Sequence, residues 1–158
     1  MLRVSTRELA KEPVGASLSF SFPGGEAVAE GILLGVRGTV TKLARGYLVH
    51  VDATWRTDAA CDRCLDPVSY MQSASVDEEF GPEPSDDVRP LDEGEIDLLP
   101  TVEEMIVIER PLKVLCREEC QGLCPVCGQN WNHGSCSCEE EEVDPRLLVL
   151  KKLQENES

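Results

Sequence analysis

Apolar and polar residues alternate most clearly between positions 47 and 55, where Tyr47, Val49, Val51, Ala53 and Trp55 fall on one side of an extended chain. Side chains repeat every two residues along a strand, so this set predicts a strand with one face in a core. Val36 to Leu43 alternates more weakly, and a further strand is expected from about Val68 to Phe80. Gly24-Gly25 and Arg45-Gly46 read as turns. Residues 18–80 are therefore expected to be β structure, with Cys61-Asp62-Arg63-Cys64 at the tip between two strands.

Helical signals lie on either side. Ser5 and Glu8 have capping-box spacing, which predicts a short helix over 4–12 that Pro13 stops. Pro100 opens a second helix, with Thr101 as N-cap, Glu104 completing a capping box, Met105 to Ile108 as the apolar body and Pro111 at the end. Asp144-Pro145 starts a third, with Leu147, Leu148 and Leu150 apolar and Lys151 and Lys152 in its final turns. Residues 81–97 are dominated by Gly, Pro and acids. The expected organisation is a β-rich domain over 1–80, an acidic Pro/Gly linker over 81–99, and a helix, cysteine-rich module and C-terminal helix over 100–158. The fold class is α+β: an antiparallel β-rich domain with a few short helices and a C-terminal cysteine-rich zinc module.

Charge changes the functional picture. The formal net charge is −15, and aromatic residues are only 4% of the chain, so the core must be mostly aliphatic. Residues 1–76 hold eight acids and eight bases, whereas residues 77–109 hold thirteen acids and one base, Arg89. Phosphate backbones are gripped by Lys and Arg with release of counterions, so this balance disfavours direct nucleic-acid binding. It favours a basic partner, which the acidic segment would steer electrostatically. The N-terminal sequence has no apolar core segment of a signal peptide, and no apolar run approaches the roughly 20 residues of a membrane span, so a cytoplasmic location is expected.

In a reducing compartment, eight cysteines read as metal ligands rather than disulfides. They are Cys61, Cys64, Cys116, Cys120, Cys124, Cys127, Cys136 and Cys138. A structural Zn²⁺ takes four thiolates tetrahedrally. Cys124-Pro125-Val126-Cys127-Gly128 has the form of a zinc knuckle and makes a compact four-thiolate site with Cys136 and Cys138. Cys61, Cys64, Cys116 and Cys120 remain for a second site, which would tie the hairpin tip to the cysteine-rich module. The spacing also allows His133 to replace a cysteine, or one eight-thiolate cluster. His50, in the middle of a strand, is expected to be a structural or surface histidine rather than a ligand. Trp131 is expected to cover the metal loop. Four protein ligands leave no open position for catalytic water, and neither histidine sits in a nucleophile arrangement, so no enzyme is expected.

Three stretches carry a resemblance. Cys61-Asp62-Arg63-Cys64-Leu65-Asp66-Pro67, Gly94 to Leu99 with Val102 to Ile106, and Leu115 to Gly128 together resemble the YceD family, as does the closing Asp144 to Leu153. The likeness spans about residues 58–153. That family is named for accumulation of large-subunit ribosomal RNA. The resemblance implies a bacterial or plastid-type protein acting in 23S ribosomal RNA synthesis, processing or stability, with no known enzymatic activity. Genes of the family commonly neighbour that of a small zinc-type large-subunit ribosomal protein. The reading is an accessory factor acting through a basic ribosomal protein or a pre-ribosomal particle. A zinc-loaded thiol redox sensor or regulator is the alternative.

Overall fold

The computed structural model describes residues 2–28 and 31–138. Described residues are mostly β-sheet, with one α-helix. Strands β1 (Arg3–Ser5), β2 (Ser17–Pro23), β3 (Ala27–Val28), β4 (Gly31–Leu43), β5 (Gly46–Ala60), β6 (Pro67–Gly81), β7 (Val88–Pro90) and β8 (Glu95–Asp97) precede helix α1 (Leu99–Ile108). The main sheet has six strands in the order β2-β4-β5-β6-β7, with β3 also on β4. All its pairings are antiparallel except β6 with β7. The helix expected at 144–153 lies outside the described residues.

Strand β5 is the centre, and its alternation is as expected: Val49, Val51 and Trp55 are fully buried, and Tyr47 and Ala53 nearly so. The weaker alternation of β4 has a local cause. Its register against β5 shifts between Leu33 and Gly35, and that bulge resets the period, so Leu33 before it and Val36 and Val40 after it are all buried. A methyl group at Gly38 would sit 1.9 Å from the His50 carbonyl oxygen and 2.7 Å from the Phe20 ring, so only glycine fits there.

The N-terminal segment departs from expectation. Instead of a helix over 4–12, Arg3–Ser5 is a strand paired antiparallel with β8, followed by a 3-10 turn at Leu9–Lys11. Leu2 and Val4 alternate with Arg3 and Ser5, so the pairing buries the first two. Arg3 lies 3.6 Å from both Glu95 and Asp97 carboxylates. Core burial outweighs the capping spacing, because a helix of one or two turns has little intrinsic stability.

The segment 81–99, expected as linker, carries β7, β8 and two fully buried side chains, Ile96 and Leu98. Those two side chains, with Val102 and Ile106 of α1, join the same core as β4 and β5. The core therefore crosses the boundary drawn at residue 80. The pull on Ile96 and Leu98 also starts α1 earlier than expected. Leu98 is its N-cap residue, the Asp97 carboxylate accepts the Leu99 N–H at 3.0 Å, and Thr101 is buried inside the first turn rather than capping it. Arg89 of β7 ties the layers together through ion pairs with Glu78 of β6 and Glu104 of α1.

The outer face of the sheet is polar and half exposed. His50 Nδ1 lies 2.8 Å from Asp77 and its Nε2 3.5 Å from Asp52, while Asp52 accepts a hydrogen bond from Ser75 at 2.6 Å and faces Arg37 at 3.5 Å. The Asp77 hydrogen bond, opposed by slight desolvation, holds His50 above its ordinary 6.5. The stabilisation from this contact is complete below pH 6.5 and fades as pH rises through the elevated His50 value. Asp52, lowered by the Ser75 hydroxyl, has the opposite sign: its contribution fades as pH falls through its depressed value. An NMR titration of the His50 ring is expected to give a midpoint above 6.5 that moves back toward it in Asp77→Asn.

Candidate metal centre

Strands β5 and β6 pair along their full length, from Tyr47↔Phe80 to Ala60↔Pro67, and so project residues 61–66 beyond the core as a rigid tip. A left-handed backbone at Leu65 (φ 62°) and the Leu65 N–H donated to the Cys61 carbonyl at 2.9 Å close that tip and turn both sulfurs to one side. Residues 112–124 pack against it. Asp62 N–H donates to the Val114 carbonyl at 2.8 Å, Val114 N–H returns a bond to the Asp62 carboxylate at 2.6 Å, and the Arg63 guanidinium donates to the Cys120 carbonyl at 2.9 Å.

This clasp brings Cys116 and Cys120 onto Cys61 and Cys64. The Cys61 and Cys120 sulfurs are 3.7 Å apart, and those of Cys64 and Cys116 3.6 Å. Tetrahedral thiolates about one ion, at roughly 2.3 Å from the metal, have their sulfurs a little under 4 Å apart. The second quartet is Cys124, Cys127, Cys136 and Cys138, and within each quartet all sulfurs lie within 4.8 Å of one another. The partition is thus four and four. The Gly128 N–H donates to the Cys124 carbonyl at 2.9 Å, and Gly128 has φ 74°, the left-handed turn that the knuckle requires.

The proton affinities of the sulfurs are uneven. Burial pushes the Cys61 thiol up, but backbone N–H groups of Arg63, Cys64 and Cys116 bring it down to about 6. Burial raises Cys64 and Cys116. In Cys120 burial is outweighed by several groups together: the Asn132 amide, whose nitrogen lies 3.3 Å from the sulfur, the Gly122 N–H and the neighbouring sulfurs of Cys116 and Cys64. In the second quartet the Trp131 indole N–H lowers Cys136 to about 6, while the neighbouring Cys127 sulfur raises Cys138 to about 12. A thiolate is the metal-binding form, so both sites start from one sulfur already disposed to ionise near neutral pH.

Neither histidine is in a quartet. His50 belongs to the sheet face, and His133 Nε2 lies 3.1 Å from Asp66. The pattern of cysteines did not reveal the polar residues that surround them: Asp66, Asn130 and Asn132. The two asparagines were signalled only by an Asn130-Trp131-Asn132-His133 run inside a metal loop, and Asp66 only by its place in the Cys61 to Pro67 stretch.

A mostly β chain carrying two four-cysteine clusters able to hold metal ions is the class of protein that this geometry defines. The chain belongs to the YceD family, described as large ribosomal RNA subunit accumulation proteins, whose family model matches residues 49–154. It is 35% identical to an uncharacterized protein, YlbN, of Bacillus subtilis over 106 residues, 62% of each chain. It is 29% identical to the uncharacterized protein Rv2926c of Mycobacterium tuberculosis over 144 residues, 84% of this chain and 67% of that one. The chain therefore spans about two thirds of the length of these relatives. No solved structure matches it significantly. No helix among the described residues is long and apolar enough to cross a membrane.

Proposed function

We propose that this chain is a zinc-loaded, non-enzymatic accessory factor in the accumulation of 23S ribosomal RNA, acting through a basic ribosomal protein. Family membership supports the ribosomal role. The two sulfur quartets support zinc, since soft thiolates in fours select it and leave no open position for a reacting water. Elemental mass spectrometry of protein purified under reducing conditions is expected to give two zinc ions per chain.

The partner's chemistry is read from charge. Residues 77–109 net −12. Glu83, Asp86, Asp87, Asp92 and Glu93 are exposed in the loops around β7 and β8. Part of this charge is neutralised internally, by Arg89 on Glu78 and Glu104 and by Arg3 on Glu95 and Asp97, and His50 bonds Asp77. Such a surface attracts a cationic protein and repels free RNA. In a pull-down with purified ribosomal proteins, capture of a basic one is expected to weaken from about 0.1 M to about 1 M salt, as the screening length falls from about 10 Å to about 3 Å. Cross-links from the metal module to RNA with no protein captured would overturn the reading. A thiol sensor makes a different prediction: mild oxidant would eject the zinc and leave disulfides, whereas the accessory factor keeps both ions.

A further inference from the structure

The peptide between the two ligand pairs of the second quartet does not serve that quartet alone. Trp131, though 39% exposed, lies beside its own cluster, where its indole N–H is the largest influence lowering Cys136. Its neighbours reach across to the other cluster. Asn132 Nδ2 lies 3.3 Å from the Cys120 sulfur and 2.8 Å from Asn130 Oδ1. Asn132 Oδ1 accepts from the Gln121 N–H at 3.0 Å and from the Arg117 guanidinium at 2.7 Å, so it grips the backbone between Cys116 and Cys124. Asn130 Nδ2 donates to both Asp66 oxygens, at 3.0 and 3.1 Å, and His133 Nε2 meets the same carboxylate at 3.1 Å. Asp66 follows Cys64 by two residues in the hairpin tip.

We propose that residues 130–133 form a shared outer layer for both metal ions and make their uptake cooperative, with Asn132 as the positioning residue that links the sites. This rests on the zinc reading above. Filling the second quartet fixes the ends of the loop at Cys127 and Cys136. That holds Asn132 against the Cys120 sulfur and Asn130 and His133 against Asp66, so the first quartet is shaped before its own ion arrives. An N–H donor to a metal-bound thiolate also delocalises its charge and fixes the sulfur's direction, and loss of such a partner costs about 10–100-fold in metal affinity. The linkage is reciprocal, so the first ion must tighten the second by the same factor.

The test is titration of the reduced, metal-stripped full chain with Zn²⁺ against a chromogenic chelator, repeated with Co²⁺ to follow the sulfur-to-cobalt charge-transfer band. The wild type is expected to take up two Zn²⁺ in one concerted transition. Asn132→Asp keeps the acceptor for Gln121 and Arg117 but removes the donor to Cys120. It is expected to bind two ions in separate steps, the weaker by about 10–100-fold, with the cobalt band altered in that step only. Cys127→Ser touches only the second quartet, and it is expected to weaken the ion left in the first by at least about tenfold. Two ions bound independently by the wild type, or a first site indifferent to both substitutions, would overturn cooperativity and leave the zinc reading standing. Failure of the wild type to bind two ions would overturn the zinc reading and this inference with it.

Discussion

With zinc in the two quartets as proposed, chelating it is expected to unravel residues 112–138 while the sheet stays folded. The two regions are held by different forces. Among the described residues after α1 there is no helix and no strand, only an isolated bridge between Leu123 and Asn130. Leu112 and Val126 in this stretch are exposed, and its buried side chains are largely the cysteines themselves. Too little apolar surface is buried there to offset the entropy of ordering the chain. Structural zinc contributes about 10–16 kcal/mol in small modules, enough to decide whether such a segment folds. By contrast, Val49, Val51 and Trp55 draw their burial from strands on both sides and from α1. Hydrogen exchange should therefore show amides of 112–138 losing protection on chelation while those of β4 and β5 keep theirs. Cys61→Ser should reproduce the loss at the first quartet, leaving one zinc per chain at most. Equal loss of protection in both regions would mean that the metal holds the whole fold.

Replacing Trp55 by alanine is expected to cost about 3–5 kcal/mol, enough to unfold much of the population of a marginally stable domain. Trp55 is the largest of the fully buried side chains, on the central strand, opposite Leu33 on β4 and Gln72 on β6. The other buried rings of this core among the described residues, Tyr47 and Phe80, are both smaller than the indole. Trp55→Phe should be far milder. The indole Nε1 is buried with no hydrogen-bond partner among the described residues, so phenylalanine removes an unsatisfied donor along with some volume. Urea denaturation of the two variants separates the effects. A phenylalanine variant as unstable as the alanine one would show that indole shape, not bulk, is what the core requires.

The sequence disclosed those parts of the molecule in which residue identity and position carry the same information. The β5 face was legible because nothing interrupts its two-residue period. On β4 the bulge at Leu33/Gly35 blurred it, since one extra residue sends every later side chain to the other face. Spacing at the knuckle grouped Cys124 and Cys127 with Cys136 and Cys138, but it left a His133 ligand or one eight-thiolate cluster open, and the four-and-four grouping comes from the fold. The N-terminal strand was not legible. Ser5 and Glu8 satisfied a local rule, while the deciding interaction, pairing with Glu95–Asp97, is remote in sequence. The same holds for Asp66 and Asn132, common polar residues made specific only by which sulfur or carboxylate the fold brings to them.

The pairing of β1 with β8 also sets a timetable. Thr6 donates to the Gly94 carbonyl across 88 residues of chain, so β1 has no partner until those residues have been synthesised after it. At synthesis rates of about 5–20 residues per second, Leu2 and Val4 wait on the order of ten seconds with their apolar side chains in water. The β4–β5–β6 meander can form in that interval from neighbours in sequence, and β1 then closes over a core already built. A tag or fusion placed ahead of Arg3 would act on this last step, slowing closure of the fold more than formation of the sheet.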